Sequence, residues 1–204
     1  MITIIDNFLT PGYSDTIEHD AFNYLCYEYK RKTSINYKGM HDFLIMEDEN
    51  TYDEGQMVCP IWSQTTDPEP PFGKYEKFIR PLTLTIIDKC KELGLDIIPV
   101  KIKFNLLRRA AFPETHYNIP HVDMDIPGRM TAVYYVSDSD GDTYLFNEFY
   151  NPEKLPEKLT VAQRVQPKKN RLVIFEADRF HASSNPRINA DRSVINFVFK
   201  QSCE

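Results

Sequence analysis

The second half of the chain is a succession of short segments rich in Val, Ile, Phe and Tyr, separated by turn residues. The segments are VKIKFNLLRR, MTAVYYVSD, TYLFNEF, KLTVAQRVQP, NRLVIFEAD and RSVINFVFK. β-Branched and aromatic residues in runs of this length are typical of strands. Six or more such strands after a helical region predict helices packed on one face of an antiparallel sandwich or barrel.

The first 95 residues carry the helical patterns. ITIIDNFL predicts a short strand, and residues 11 to 31 predict a helix with Ser14 or Thr10 as its N-cap and basic residues in its last turn. YEKFIRPLTLTIIDKCKELGL predicts a second helix, interrupted by Pro81 and ending in Gly94. These helices are expected to support the strands that follow them.

Residues 33 to 72 differ from both patterns, because acidic residues, Pro and Gly dominate and apolar runs are short. A long irregular segment in a compact domain is often a lid or a binding loop. The alternative is a pair of edge strands joined by surface loops, and the sequence favours neither. His41 lies in this segment, where a structural role is expected.

Length and composition limit the possible classes of protein. A chain of 204 residues with 42% hydrophobic and 13% aromatic residues can build a proper core, so we expect one domain over 1–204, with helical support over 1–95 and a strand-rich core from about 96 to 204. The formal charge of −6 argues against a nucleic-acid partner.

Nothing in the sequence indicates secretion or membrane insertion. The four cysteines, Cys26, Cys59, Cys90 and Cys203, form no CxxC pair, which favours reduced thiols. The first residues lack a basic region followed by an apolar stretch, and no window approaches the ~18 apolar residues of a membrane span. We therefore expect a cytoplasmic protein without a membrane partner, and the oligomeric state stays open.

The motif HVD at residues 121–123 stands just before the MTAVYYV strand. In an extended segment, residues two apart project to the same face, so His121 and Asp123 can point together into a barrel mouth. His181 lies at the end of a later strand run. Two histidines and one carboxylate on one face form the facial triad of non-haem Fe(II) oxygenases. Asp125 shares the parity of Asp123 and is the alternative carboxylate.

The HxD motif alone is not specific for a metal site, and an arginine in the last strand run strengthens the pattern. Arg192 opens RSVINFVF, and strand parity places it on one face with Val194, Asn196 and Val198. Arginine pairs bidentately with carboxylates, so a pocket lined by these residues suits a dicarboxylate. Arg187, in the NPR turn, is a rival that we expect to be solvated.

These residues resemble the Fe(II)/2-oxoglutarate-dependent dioxygenases, specifically the prolyl 4-hydroxylase-like branch. The resemblance covers roughly residues 100 to 200 and rests on the following motifs: HVD, RMTAVYYVS, GDTYLF, VQPKKNRLVIF, His181 and RSVINFVF. It implies an α+β fold, with a double-stranded β-helix (jelly-roll, cupin-like) core and N-terminal helices packed on one sheet. The family's Gly-Gly pair appears here only as Gly141-Asp142, which leaves the detail of that turn open.

The resemblance also implies roles for individual residues. His121, Asp123 and His181 match the iron ligands, and Arg192 matches the anchor of the distal carboxylate of 2-oxoglutarate. Tyr135 matches a tyrosine that hydrogen-bonds the same cosubstrate, and the amide of Asn196 would line the same pocket. A one-residue shift of strand register would instead present the neighbouring Tyr134, and either tyrosine could be a plain core aromatic.

The implied activity is hydroxylation of an unidentified substrate and release of succinate and CO2. A prolyl or another peptide side chain is the candidate, and a protein or small-molecule substrate stays open. Fe(II) and 2-oxoglutarate would be required, O2 would be consumed, and ascorbate is a candidate reductant. The alternatives are a catalytically silent metal-binding or interaction protein, and a cupin-type metalloenzyme that does not use 2-oxoglutarate.

Other candidate residues carry weaker patterns. His19 and His116 have no partner motif and are expected at the surface. Trp62 and Tyr117 are candidates for substrate contact from their position alone.

Overall fold

A computed structural model describes residues 1–34, 46–64, 75–111 and 113–202 of the chain. The helices and strands in these ranges are, in order, β1 (Ile2–Ile5), α1 (Pro11–Tyr24), β2 (Glu28–Lys30), β3 (Gln56–Ser63), α2 (Glu76–Glu92), β4 (Ile97–Arg108), β5 (Met130–Tyr135), β6 (Thr143–Phe149), β7 (Val161–Val165), β8 (Arg171–Glu176), β9 (Arg179–Ser183) and β10 (Asp191–Gln201).

The described strands form two antiparallel sheets that pack face to face. The major sheet has the order β1-β8-β5-β10-β4-β3-β2, and the minor sheet has the order β7-β6-β9. Val133 of β5, Leu145 of β6 and Val194 of β10 belong to one apolar cluster between the sheets. The expected double-stranded β-helix is therefore confirmed.

β10 lies in the middle of the major sheet, between β4 and β5. Its odd-numbered residues, such as Ile195 and Phe197, join the cluster under the helices, while Val194 and Asn196 face the minor sheet. Because both faces are covered, the strand reads as a nearly continuous buried run rather than an alternating one. Alternate residues of one central strand can therefore serve the core and a pocket at once.

Both helices cover the outer face of the major sheet, as predicted. Ile17 and Ala21 of α1 and Leu82 and Ile86 of α2 pack in the same cluster as Phe104 of β4. Burial of these apolar side chains fixes the helices on the sheet, since each buried Leu or Ile contributes about 1.5–3 kcal/mol. The helices leave the opposite face of the sheet to the minor sheet.

The predicted extent of the first helix is wrong. α1 begins after Thr10, whose extended backbone makes it the N-cap residue without a side-chain bond, and Pro11 takes the first helical position. The helix ends at Tyr24 rather than at residue 31, and its last turn holds no basic residue. The residues beyond it pair as β2 with β3, so sheet hydrogen bonds override the helical pattern.

The interruption predicted at Pro81 is wrong, because α2 continues through this proline, which costs the helix one backbone hydrogen bond. At the carboxyl end Gly94 adopts a positive φ of 79°. The Gly94 amide donates to Lys91 O at 2.9 Å and the Leu95 amide to Cys90 O at 2.8 Å, which is a Schellman cap. The predicted stop at Gly94 is confirmed.

The segment from 33 to 72 contains β3, which lies next to the edge strand of the major sheet. Of the two interpretations of this segment, that of edge strands joined by surface loops therefore describes the part that contains β3. Residues 35–45, with His41, and residues 65–74 lie outside the described residues, as does Cys203. Cys26, Cys59 and Cys90 carry free thiols. Neither helix combines the length and apolarity that a bilayer-spanning segment requires within the described ranges.

Asn170 joins the first residues of the chain to the major sheet. It precedes β8 in the left-handed region with a φ of 64°. Its Oδ1 accepts from the Leu9 amide at 2.8 Å, and its Nδ2 donates to Leu9 O at 2.8 Å. The Asn170 amide also donates to Tyr135 O at 3.0 Å. One buried side chain thus holds the entry to α1 against the strands that line the site.

Replacement of Asn170 by Ala should lower the free energy of unfolding by about 2–4 kcal/mol, because two buried backbone groups lose their partner and alanine resists a positive φ. Urea denaturation measures the change. Asn170→Gly, which removes only the side-chain bonds, should lose less. Asn147→Ala is the control, since Asn147 is exposed and bonds only to Thr160. Equal losses in Asn170→Ala and Asn147→Ala would contradict this role.

Candidate active site

Backbone pairing brings the two histidines of the predicted triad together. His181 lies in β9, a strand that the sequence did not reveal, and His121 forms an isolated antiparallel bridge with it. The amide of each residue donates to the carbonyl of the other at 2.9 Å. The two rings lie with their centroids 4.4 Å apart. Both imidazoles therefore project from one paired segment to one side.

Asp123 completes the cluster. Its amide donates to Ala177 O at 2.9 Å, which holds the turn after HVD against the end of β8. Its Oδ2 lies 3.5 Å from Nε2 of His181. One ligand atom from each of His121, Asp123 and His181 lies within 4.8 Å of the other two. The structure thus brings the three predicted metal ligands together, and Asp125 is not part of this group.

Hydrogen bonds select the ring nitrogen that each histidine offers. Nδ1 of His121 lies 3.0 Å from Ile119 O, and Nδ1 of His181 lies 3.1 Å from Arg179 O. A carbonyl only accepts, so the proton of each neutral ring belongs on Nδ1. Nε2 of each ring then carries a free electron pair that can bind a metal, which is the arrangement found in metal-binding histidines.

Electrostatics supports the protonation states that a metal requires. Burial lowers the pKa of His121 to about 3, and burial also lowers the pKa of His181. For Asp123 burial acts in the opposite direction, but the neighbouring His181 and Lys103 outweigh it and hold the pKa of this carboxyl well below its usual range. Neutral imidazoles and an ionised carboxylate form the donor set of a facial triad, so these residues fit Fe(II).

Two buried side chains orient the carboxylate. The Thr131 hydroxyl donates to Asp123 Oδ2 at 2.9 Å, and Asn196 Nδ2 donates to the same oxygen at 3.2 Å. Both bonds go to Oδ2, which restricts the rotation of the group. Asn196 was predicted to bind the cosubstrate, and within the described ranges its side chain hydrogen-bonds to this metal-ligand candidate. Its cosubstrate role stays a prediction.

Arg192 lies at the other end of the cavity, deep in the fold and 3% exposed. Its Nε donates to Gly141 O at 2.8 Å, and its Nη2 donates to Thr143 Oγ1 at 2.6 Å. The guanidinium carbon lies 5.7 Å from the centre of the Tyr135 ring. Tyr135 Oη and Thr143 Oγ1 are 2.6 Å apart. Arginine and tyrosine therefore share one hydrogen-bonded cluster.

No ion pair of Arg192 with a carboxylate is found within the described ranges. A buried cation without an anionic partner is costly, and burial lowers the pKa of this guanidinium. An anionic ligand in the cavity would supply the missing charge. This observation favours the predicted dicarboxylate anchor.

A single cavity connects the two ends of the site. It is lined by the histidines and by residues of β3, β4, β5, β6, β9 and β10, as follows: Thr33, Gln56, Lys103, Asn105, Leu107, His121, Val133, Thr143, His181, Ala182, Ser183, Arg192, Val194 and Asn196. Parity on β10 was predicted correctly for Arg192, Val194 and Asn196. Val198, predicted for the same face, is absent from this lining.

The structure distinguishes the two adjacent tyrosines. Tyr134 points to the helices and donates to Ser14 Oγ at 3.0 Å, while Tyr135 faces the Arg192 cluster. The register slip considered from the sequence is therefore absent. Trp62 packs against the cluster under the helices, and Tyr117 packs beside Phe146 on the minor sheet. Neither residue lines the described cavity.

The remaining candidates lie outside the site. Arg187 is exposed and pairs with Glu114 at 3.2 Å. His116 and His19 are exposed or partly exposed and bond locally to Thr115 and Asn23.

Sequence reasoning missed several residues that the fold places at the site. Thr131 contacts the carboxylate of Asp123, and Thr143 contacts Arg192. For Thr131, a signal was available in the sequence, because it shares strand parity with Tyr135. Lys103 and Asn105 alternate with apolar residues in KIKFN, which indicates a strand with one polar face.

Comparison with known proteins agrees with this geometry. The model of the 2OG-Fe(II) oxygenase superfamily matches residues 107–200, which contain the triad and Arg192. These residues form a 2OG-Fe(II) oxygenase domain. The expected enzyme class, a 2-oxoglutarate-dependent dioxygenase, is thereby confirmed, and Fe(II) and 2-oxoglutarate are its cofactor and cosubstrate. A search of curated protein sequences returned no match.

Solved structures of 2OG-Fe(II) oxygenases share the fold. A Pseudomonas putida prolyl-4-hydroxylase is 15% identical, with 98% of this chain and 92% of that chain covered and a TM-score of 0.54. A Trichoplax adhaerens prolyl hydroxylase, in complex with a hypoxia inducible factor peptide fragment, is 17% identical, with coverage of 98% and 83% and a TM-score of 0.58. The nogalamycin-biosynthesis epimerase SnoN is 13% identical, with coverage of 98% and 78% and a TM-score of 0.60.

In this 2OG-Fe(II) oxygenase domain, Thr131→Val should weaken metal binding about tenfold, because the carboxylate of Asp123 loses an orienting hydrogen bond. Titration of the protein with Fe(II) under anaerobic conditions measures the affinity. Thr83→Val is the control, since Thr83 is equally buried and bonds to Ile79 O within α2. An unchanged affinity in Thr131→Val would show that Asn196 alone orients the carboxylate.

Gly141→Ala should weaken 2-oxoglutarate binding about tenfold or more, through loss of a hydrogen bond that positions Arg192. A Cβ at Gly141 would overlap the backbone of Ser184 and Pro186, so the carbonyl that holds Arg192 must move. Calorimetry measures the affinity. In the control Gly12→Ala, the added Cβ meets no atom within 4 Å. The same 2-oxoglutarate affinity in both variants would contradict this account of the turn.

Proposed function

We propose that the protein hydroxylates a carbon of its substrate, a prolyl or another peptide side chain being a candidate, and releases succinate and CO2. The observation that carries the proposal is a cavity with His121 and His181 of the three-ligand cluster at one end and the buried Arg192 at the other, where the arginine forms no ion pair within the described ranges. The prolyl hydroxylases among the similar structures support the substrate candidate, through their fold alone.

In this proposal His121, Asp123 and His181 hold Fe(II) through the two Nε2 atoms and the carboxylate. Iron, when bound with 2-oxoglutarate, supplies the activation of O2 that hydroxylation requires. Three protein ligands on one face leave positions for the cosubstrate and for O2. The carboxylate of Asp123 fills the position that a halide would need, which favours hydroxylation over halogenation.

The other residues position and protect the reactants. Arg192 pairs with the distal carboxylate of 2-oxoglutarate. Tyr135 joins the same hydrogen-bonded cluster, because its hydroxyl and Arg192 both bond to Thr143 Oγ1. Val133 and Val194 line the cavity between the two ends and limit the access of water. A dry cavity strengthens the charge pairing at Arg192 and protects reactive species from side reactions.

Replacement of Arg192 by Leu should weaken 2-oxoglutarate binding by a hundredfold or more, on the order of 3 kcal/mol for a buried charged hydrogen bond, and leave Fe(II) binding nearly unchanged. Anaerobic calorimetry measures both affinities. Wild-type protein with both ligands should also show a weak visible charge-transfer band. Arg187→Leu, at an exposed arginine, is the matched control.

Two results would count against the proposal, and one would make the Arg192→Leu comparison uninformative. The absence of both the band and 2-oxoglutarate binding in the wild type would remove it. Equal loss of iron and 2-oxoglutarate in Arg192→Leu would mean that the substitution damaged the fold. Stoichiometric iron without any 2-oxoglutarate decarboxylation would instead indicate a catalytically silent metal-binding protein.

A further inference from the structure

Lys103 is a cation in the cavity that the proposed mechanism does not use. It lies on β4 directly opposite Asn196 in the antiparallel register, and Asn196 is the residue that bonds to Asp123. The same cavity is lined by Lys103, His121 and His181. The ammonium is therefore placed on the metal side of the cavity.

Lys103 forms no ion pair or hydrogen bond within the described ranges, and its charge interaction there is the longer-range one with Asp123. Burial and the neighbouring Lys101 lower the pKa of Lys103 to about 8, while Asp123 opposes the shift. Removing a lysine from solvent without an anion disfavours its charged form, so an anionic ligand would bind there favourably.

The charges of the loaded site leave this cation unneutralised. The carboxylate of Asp123 and the two carboxylates of 2-oxoglutarate together offset the charges of Fe(II) and Arg192. One positive charge, on Lys103, then remains in the cavity. One further anionic group would neutralise this charge, and the substrate is the reactant that has not yet entered the cavity.

Unpaired polar atoms line the same cavity as Lys103. Thr33 Oγ1 and Asn105 Oδ1 are buried and have no hydrogen-bond partner within the described part of the chain, although both residues line the cavity. Asn105 follows Lys103 on the same face of β4, about 7 Å along the strand. Buried acceptors that lack a donor are rare in folded proteins, and a ligand with N–H groups would satisfy them.

We propose that the substrate is an α-amino acid unit whose free carboxylate pairs with Lys103 and whose nitrogen donates to Asn105 and Thr33. This inference rests on the proposed function, since it assigns the substrate of the same site. Both a free amino acid and the C-terminal residue of a peptide present this carboxylate.

The cosubstrate does not account for Lys103. In the register of β10 with β4, Arg192 lies opposite Leu107, and Lys103 lies opposite Asn196. The backbone positions of the two residues are thus separated by about 13 Å along the strands. In the proposed binding mode one carboxylate of 2-oxoglutarate pairs with Arg192 and the other binds the metal, so neither is left to pair with Lys103.

The test is a binding survey with protein loaded anaerobically with Fe(II) and 2-oxoglutarate. The probes are free L-amino acids, the same amino acids as C-terminal amides, and their N-acetyl derivatives, each measured by calorimetry. At least one free or N-acetylated acid should bind tenfold or more tightly than its amide. Binding of the free acid alone identifies a free amino acid, and binding of the N-acetyl form identifies a peptide terminus.

Lys103→Met should weaken the binding of that acid by tenfold or more and change the affinity for 2-oxoglutarate by less than twofold. Fe(II) binding should not weaken, because the substitution removes a positive charge from the surroundings of the metal. Lys103→Arg should retain most of the binding, since it keeps the charge. The matched control is Lys101→Met, which removes the same charge from an exposed position on the same strand and should have little effect.

Several outcomes would overturn this assignment. These are equal binding of acids and amides, no binding of any acid, and undiminished acid binding in Lys103→Met. Loss of 2-oxoglutarate affinity in Lys103→Met would assign the lysine to the cosubstrate instead. Each of these results leaves the dioxygenase proposal standing, whereas failure of the wild type to bind 2-oxoglutarate removes that proposal first.

Discussion

The pair of backbone hydrogen bonds between His121 and His181 is the contact on which the site depends. It joins the segment before β5, in the major sheet, to β9 of the minor sheet. Main-chain pairing therefore sets the separation of the two rings before any metal arrives. The carbonyls of Ile119 and Arg179 then fix the ring orientations. A metal site built on paired backbone has little freedom left to lose on binding, which favours affinity.

The cavity that this pairing closes concentrates charge in the interior. Asp123, Arg192 and Lys103 all line or adjoin it, and neither of the two cations forms an ion pair within the described ranges. Such an arrangement lowers the stability of the ligand-free protein, and the apolar clusters on both faces of the major sheet offset that cost. The well-packed apolar clusters thus allow the protein to keep buried charges at the site, where electrostatic interactions are strong.

The sequence predicted the site best where strand parity and a local motif act together. HVD places two candidate metal ligands within three residues, and the RSVINFVF strand sorts Arg192 and Asn196 to one face by its period of two. Parity also separates Tyr134 from Tyr135 once the register is known. These features depend on geometry within one strand, so they can be read without the fold.

Features that depend on distant pairing could not be read in this way. α1 ends at Tyr24 because the next residues pair with β3, which follows much later in the chain. β9 has few apolar residues of its own and exists because β6 and His121 pair with it. Thr33 reaches the cavity from a segment without strand or helix pattern, and the bonds of Asn170 to Leu9 cross almost the whole chain.

The central place of β10 has a consequence for how the protein is made. The last strand of this sequence inserts between β4 and β5, which are synthesised earlier. Until β10 leaves the ribosome, those two strands have unpaired edges and apolar faces without neighbours. A ribosome that stalls shortly before residue 191 would release a chain with neither a closed sheet nor an arginine anchor. Such a fragment would be a ready target for chaperones and proteases.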